Sequence, residues 1–245
     1  MNRIVVPAGA RRTISLESAS REKREIRIGK GAELRLFEVQ NLGNTGHKLH
    51  IKVRLAKGAK LQWRIATLGS ARSESEREII LAGRGAEVEV AEAVLGRQAQ
   101  EFFSNYSLTH QAPGTKSRLL LKAALCGSSK LEARAIARIM PGAKESNAFL
   151  EERALLLSPQ ASCEAVPSLE IENNEVKCSH AASVTRMDSE QLFYLQSRGL
   201  GLREARETLA MGFLAEALKT ANSEWLQRAE KLARARWTCC GVERG

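Results

Sequence analysis

Apolar and polar residues alternate with a period of two along most of the first 185 positions, as in Ala32-Glu33-Leu34-Arg35-Leu36 and Ala86-Glu87-Val88-Glu89-Val90. Successive side chains of a strand point to opposite faces, so this pattern predicts strands with one buried face. Each run follows a small turn. Gly29-Lys30-Gly31, Ala56-Lys57-Gly58 and Gly83-Arg84-Gly85 precede equivalent runs, and Gly31, Gly58 and Gly85 are each 27 residues apart. Gly114 follows after 29 residues and Gly142 after another 28, while Pro7-Ala8-Gly9-Ala10 reads as a first member. Glycine supplies the positive φ or tight bend that such turns require. Strand–turn units at a fixed period predict a solenoid, in which each unit buries its apolar face only on its neighbours. Residues 1–186 therefore read as a parallel β-helix core. An antiparallel β-sandwich is the alternative, and it expects turns about every 8–12 residues.

From Asp188 the period becomes helical. Asp188 is a candidate N-cap, Gln191 sits at the reciprocal capping position, and Gly199 is a natural C′ residue. A second helix is predicted over Leu202 to Thr220, with Leu202, Ala205, Leu209, Gly212, Phe213 and Leu218 among its apolar positions. A third begins near Ser223. It carries Trp225, Leu226, Ala229 and Leu232 on one face and Arg228, Lys231, Arg234 and Arg236 on the other. Residues 187–245 thus read as a helical domain. Covering the open end of the coil is one role for it, since a solenoid needs a cap.

The formal net charge of +10 invites a nucleic-acid reading. The basic residues are spread along the chain, however, and aromatics make up only 4%, so stacking platforms are scarce. Segment 161–190 is acidic instead: Glu164, Glu170, Glu172, Glu175, Asp188 and Glu190 face only Lys177 and Arg186, a net charge of −4. There is no apolar run of membrane-spanning length and no apolar signal-like stretch after Met1. Five cysteines in no disulfide-like rhythm fit a reducing, cytoplasmic setting. There is no Cys-x-x-Cys, no phosphate loop and no nucleophile elbow, so nothing supports catalysis by this chain.

Cys178 and His180 carry the chemistry. They stand two apart in Lys177-Cys178-Ser179-His180, where a strand would put both on one face. A thiolate and an imidazole are the donors that soft and borderline metals take, and a buried thiol beside a hydrogen-bonded ring is the plain alternative. Cys163 and Glu170 are secondary candidates on neighbouring strands. Cys126 reads as packing, Cys239-Cys240 as an ordinary exposed pair, and His47 and His50 as surface residues.

Several segments together resemble the SufB/SufD core family of iron–sulfur cluster assembly scaffolds. They are His110-Gln111-Ala112-Pro113-Gly114, Glu152-Arg153-Ala154-Leu155-Leu156-Leu157-Ser158, Pro167 through His180, and Leu192-Phe193-Tyr194-Leu195-Gln196-Ser197-Arg198-Gly199. The resemblance runs from about His110 to Phe213, with residues 1–105 similar only in style. It implies a right-handed parallel β-helix followed by helices that dock a SufC-like ABC ATPase. The docking positions would be Leu192, Phe193, Tyr194, Arg198, Gly199, Leu209 and Gly212. It further implies that the Cys-Ser-His segment lies at a contact with a SufB-like partner or a second copy, with His180 taking part in building the cluster. Cys178 would join it, and no cofactor would be held permanently beyond a transient iron–sulfur cluster. The chain lacks the additional cysteine of the SufB branch, and so looks SufD-like; Ala181 replaces the glycine usual after the histidine. It is shorter than typical members, with repeat-like sequence starting almost at Met1.

Two rivals remain at this stage. One is a degenerate paralogue that docks the ATPase without holding a cluster. The other is a β-helix that binds polysaccharide or nucleic acid, in the latter case with Arg234 and Arg236 contributing.

Overall fold

A computed structural model of the chain describes residues 2–43, 45–220 and 222–237. Fourteen strands alternate between two seven-stranded sheets, and every pairing is parallel. The first sheet holds β1 (Asn2–Val6), β3 (Arg21–Ile28), β5 (Gly46–Leu55), β7 (Arg72–Leu81), β9 (Glu101–His110), β11 (Lys130–Ile139) and β13 (Ser162–Ile171). The second holds β2 (Arg11–Glu17), β4 (Glu33–Asn41), β6 (Lys60–Gly69), β8 (Glu87–Gly96), β10 (Lys116–Leu125), β12 (Asn147–Leu156) and β14 (Lys177–Arg186). Consecutive strands lie on opposite walls, so the chain coils as a parallel β-solenoid and the sandwich alternative falls.

The repeat turns explain the register. Gly58 has φ +64° and Gly114 φ +66°, each two residues before its strand of the second sheet. Side chains rarely adopt that region, and glycine enters it without a Cβ clash. The expectation for Gly142 is corrected. The turn before β12 is longer, and the residue two before the strand is Glu145, at φ +59°. The turn keeps its geometry there without glycine.

Inside the coil, alternate residues of both walls form one core that includes Trp63, Phe102, Leu34, Leu61, Leu119 and Leu150, all nearly fully buried. The outer face of the second sheet is apolar in its C-terminal half. Phe37, Ala66, Leu68, Ala93, Leu95, Leu120 and Ala124 line it, and three helices follow: α1 (Ser189–Ser197), α2 (Leu202–Leu218) and α3 (Ser223–Trp237). Helices α2 and α3 pack on this face through Ala210, Leu214, Ala217, Trp225, Ala229 and Trp237. Small alanines on both sides permit the close approach, and the Phe37 and Trp225 rings stack tilted at 5.3 Å.

This placement corrects three helix expectations. The helices cover the side of the coil, not its open end. The buried stripe of α2 is Ala205, Ala210, Met211, Leu214, Ala217 and Leu218, so Leu202 and Gly212 face outward. Arg236 does not stand on a free far face, because its guanidinium donates to the Asn41 side chain at 2.9 Å. The capping expectation is met in part: Asp188 accepts from the Glu190 amide at 2.8 Å, and Gly199 adopts φ +94°.

Candidate functional site

Among the described residues no strand follows the last turn of the coil, so β13 and β14 each pair on one side only. Residues that would be buried in an earlier turn are uncovered here. By register, Cys178, His180, Ala182 and Val184 of β14 stack on Ala148, Leu150, Glu152 and Ala154 of β12. All four of those β12 residues are at most 1% exposed. The Cys–His face therefore points into the lumen at its open end. On the opposite wall Cys163, Ala165, Pro167, Leu169 and Ile171 continue the inward columns of β11. Lumen-facing Ile171 and Val184 are 47% and 44% exposed, although the same columns are apolar core one turn earlier.

His180 Nδ1 donates to the Pro167 carbonyl at 2.9 Å. A carbonyl only accepts, so this bond fixes the proton on Nδ1 and leaves the Nε2 lone pair for a ligand. The arrangement matches the usual support of a metal-binding imidazole, whose second nitrogen donates to a carbonyl or carboxylate. Cys178 is half-buried against the end of the core. Burial raises its thiol above the ordinary range, partly opposed by a hydrogen bond from the Ala148 backbone. A metal ion binding there would have to displace the thiol proton.

The two secondary candidates are not brought to this pair. Glu170 points outward and bridges Arg138 at 2.6 Å. Cys163 faces inward, but β13 and β14 cross the coil in opposite directions. That sets it roughly six strand positions from Cys178, or ~20 Å. Burial pushes its thiol up to about 12, with the charges of Glu152 and Glu164 adding to the shift. Among the described residues, no group of three or more His, Cys, Asp or Glu side chains is arranged to hold a metal ion. Cys126 is buried beneath the helices, as its packing role requires. Cys239 and Cys240 lie outside the described residues.

Two lumen features escape a reading of motifs alone. The first is Glu152, fully buried, with both carboxylate oxygens lacking any hydrogen-bond partner. Burial lifts its carboxyl to about 7. It belongs to an inward column of the second sheet that runs Leu16, Glu38, Ile65, Glu92, Leu121, Glu152, Ala182. Glutamates recurring at Glu38, Glu92 and Glu152 in an inward column were a signal available once the repeats were aligned. The second is His47, expected at the surface but only 3% exposed and bonded to Ser73 at 3.1 Å. Burial, then the Arg77 charge, lowers its pKa to about 4 against a smaller pull from Glu92. His50 does lie outside, within 3.5 Å of Glu76 and 3.2 Å of Glu78.

The positions expected to dock an ATPase lie on α1, just after it, and on α2. Helix α1 buries no residue at all. Phe193 is 73% and Tyr194 56% exposed, with Arg198 over the Tyr194 ring at 5.2 Å. Gly199 and Gly212 are exposed, and Leu192 and Leu209 half-buried.

The net positive charge is largely interleaved with acids. Lys60 and Lys116, for instance, both reach Glu87 at 3.5 Å. Basic and acidic side chains are mixed at such points, and the nucleic-acid rival is not favoured. No described helix is long and apolar enough to cross a membrane.

Fold and site define a parallel β-solenoid that carries a helical layer on one side and presents a thiol and an imidazole at its uncovered end. The family described as "SUF system FeS cluster assembly, SufBD core domain" matches residues 3–213, and the chain belongs to that family. Relatives include iron–sulfur cluster assembly SufBD family proteins of Staphylococcus saprophyticus and Staphylococcus aureus, each 28% identical over 209 residues. The match covers 85% of this chain and 45% of each relative, so the chain spans about half the length of these relatives.

Proposed function

We propose that this chain is a scaffold for iron–sulfur cluster assembly that acts by presenting ligands and binding partners, with no catalytic step of its own. The observation that carries this reading is the tautomer of His180, pinned by Pro167 with Nε2 free, beside Cys178 at the uncovered end of the coil. A second copy of the chain, or a SufB-like subunit, pairs at this end. Exposed Val166, Ile171 and Val184 and the unpaired edges of β13 and β14 support that pairing, since open strand edges invite a further strand. Iron and sulfide, the cargo, assemble between the pairing surfaces, and no cluster stays as a resident cofactor. The exposed α1 face with Phe193, Tyr194 and Arg198 receives a SufC-like ABC ATPase, and Leu209 and Gly212 of α2 extend that surface. ATP use belongs to that partner, in a cytoplasmic setting.

The test is anaerobic co-expression with such an ATPase, followed by capture of this chain. Retained ATPase, iron and acid-labile sulfide are expected. His180→Ala or Cys178→Ala should abolish iron and sulfide while the ATPase remains, and Phe193→Ala with Tyr194→Ala should release the ATPase. ATPase without iron in the unaltered chain would favour a docking subunit that holds no cluster. Absence of the ATPase would overturn the assignment of the helices.

A further inference from the structure

The turns along one edge of the coil carry charge that neither the fold nor the assembly site uses. Gly29–Ala32, Ala56–Ala59 and Gly83–Ala86 are tight turns, each closed by a backbone hydrogen bond of 3.0 or 3.1 Å. Gly31, Gly58 and Gly85 take the third position, at φ +64°, +64° and +67°. That is the type II pattern, whose second position favours proline and asks for no charge. Ala8 before Gly9 and Pro113 before Gly114 occupy the same tip position. Yet these three turns put Lys30, Lys57 and Arg84 there, all exposed. The turns stack directly: the Gly31 amide donates to the Lys57 carbonyl at 2.8 Å, and the Gly58 amide to the Arg84 carbonyl at 2.9 Å. Three like charges are therefore anchored at steps of about 4.8 Å, a spacing at which they repel. On the outer face of the first sheet the register supplies acids instead. Lys48 meets Glu74 at 3.0 Å, Lys52 meets Glu78 at 2.9 Å and Arg72 meets Glu101 at 2.9 Å. Among the described residues the three tip cations have no such partner.

The tips border a groove. Each turn leads within three residues into Glu33, Lys60 or Glu87, the first residues of β4, β6 and β8. These line a depression of about 540 Å³ over the N-terminal half of the second sheet's outer face. Cations outnumber carboxylates in its lining by four to three, and the three tips raise that to seven to three. Arg35 in the floor has no ion-pair partner among the described residues, and Arg118 lies over the Phe149 ring at 5.3 Å. We propose that this groove and its basic rim bind an acidic peptide segment of a partner protein, laid along the coil axis with its carboxylates on Lys30, Lys57, Arg84, Arg35 and Arg118. Gln62 and Asn147 in the lining offer amides to the segment's backbone. The carboxylates Glu33, Glu87 and Glu89 set the partner class. They oppose a nucleic acid, which carries a phosphate at every step, and tolerate a peptide, whose neutral side chains lie over them. None of these residues belongs to the α1 face or to the Cys178–His180 end, and the groove is independent of the assembly function proposed above.

The experiment is fluorescence anisotropy of a labelled decapeptide of alternating Glu and Ser, titrated with the purified full chain at low ionic strength, where screening is weak. Binding is expected. It should weaken about tenfold or more when Lys30→Gln, Lys57→Gln and Arg84→Gln are combined, since three charge contacts are lost. Arg35→Gln with Arg118→Gln should weaken it about threefold or more. Combining Lys48→Gln, Lys52→Gln and Arg72→Gln removes the same net charge from the first sheet and should change the affinity less than about twofold. All these positions are exposed, so the core is left intact. No binding by the unaltered chain, equal loss in the two triple variants, or tighter binding of a single-stranded oligothymidine of equal charge would overturn the proposal.

Discussion

The middle of the coil and its last turn use the same column of inward glutamates in opposite ways. In the middle, Arg77 lies fully buried between Glu38 and Glu92, within 3.4 Å and 3.9 Å of their carboxylates. Its guanidinium also stacks near the Trp63 and Tyr106 rings. Every charge there has an internal partner. Two turns on, Glu152 has none, and the turn beyond it exposes Cys178 and His180. The lesson is one of location: in the middle each buried charge meets an opposite charge inside the coil, and beside the uncovered end Glu152 meets none.

The largest effect should come from breaking the buried charge cluster around Arg77. Arg77→Met leaves two buried carboxylates without a counter-charge, and removing one partner of a buried ion pair costs about 3–5 kcal/mol. Chemical denaturation should show that loss. Replacing Glu38 and Glu92 by Leu in the same variant should recover most of it, because a whole buried triad can be exchanged for apolar packing at little cost. Failure to recover would mean that the network holds the coil in register rather than satisfying itself.

Glu152→Gln should act in the other direction, and in a defined pH window. Burial raises its carboxyl from 4.5 to about 7. The folded chain then binds the proton more tightly than the unfolded chain, so stability is full below about 4.5 and is lost as pH rises toward 7. The loss approaches about 3 kcal/mol at the upper end. Glu152→Gln should therefore be more stable than the parent above pH 7 and match it in acid. His47 and His110 slope the opposite way. His110 sits between Thr115 and Ser117 at 2.7 and 2.8 Å, and burial lowers it to about 4. Both rings resist protonation when folded, so their contribution is full above 6.5 and is lost as pH falls toward 4. The parent thus combines opposed slopes, and Glu152→Gln should show the rising histidine slope alone.

Much of the architecture was legible because it is periodic. The glycine spacing and two-residue alternation gave the coil, and Asp188 and Gly199 marked the limits of α1. Where a position depends on what lies across the lumen, the chain gave less. His47 looked like a surface residue, yet the pleat turns it inward onto Ser73. Gly142 looked like the next turn glycine, yet a longer turn hands the left-handed position to Glu145. In α2 the apolar stripe was rotated, because Leu202 and Leu209 compete with Met211 and Leu214 for one face, and only the alanine-rich outer sheet decides between them. For the site, Cys178 and His180 were visible as a motif, whereas Glu152 was visible only as a polar interruption in a column.

The smallest effect separates an outward carboxylate from an inward one on neighbouring strands. Glu170 pairs with Arg138 at 2.6 Å, but both side chains are substantially in water, at 56% and 42% exposure. Such pairs contribute at most about 1 kcal/mol, because solvent already satisfies both charges. Glu170→Gln should therefore shift the unfolding midpoint only slightly, with no pH window like that of Glu152. It should also leave iron and sulfide retention intact under conditions where His180→Ala loses both. If Glu170→Gln released iron as His180→Ala does, the outer face of β13 would belong to the assembly surface. The contrast between lumen and exterior would then no longer mark the functional residues.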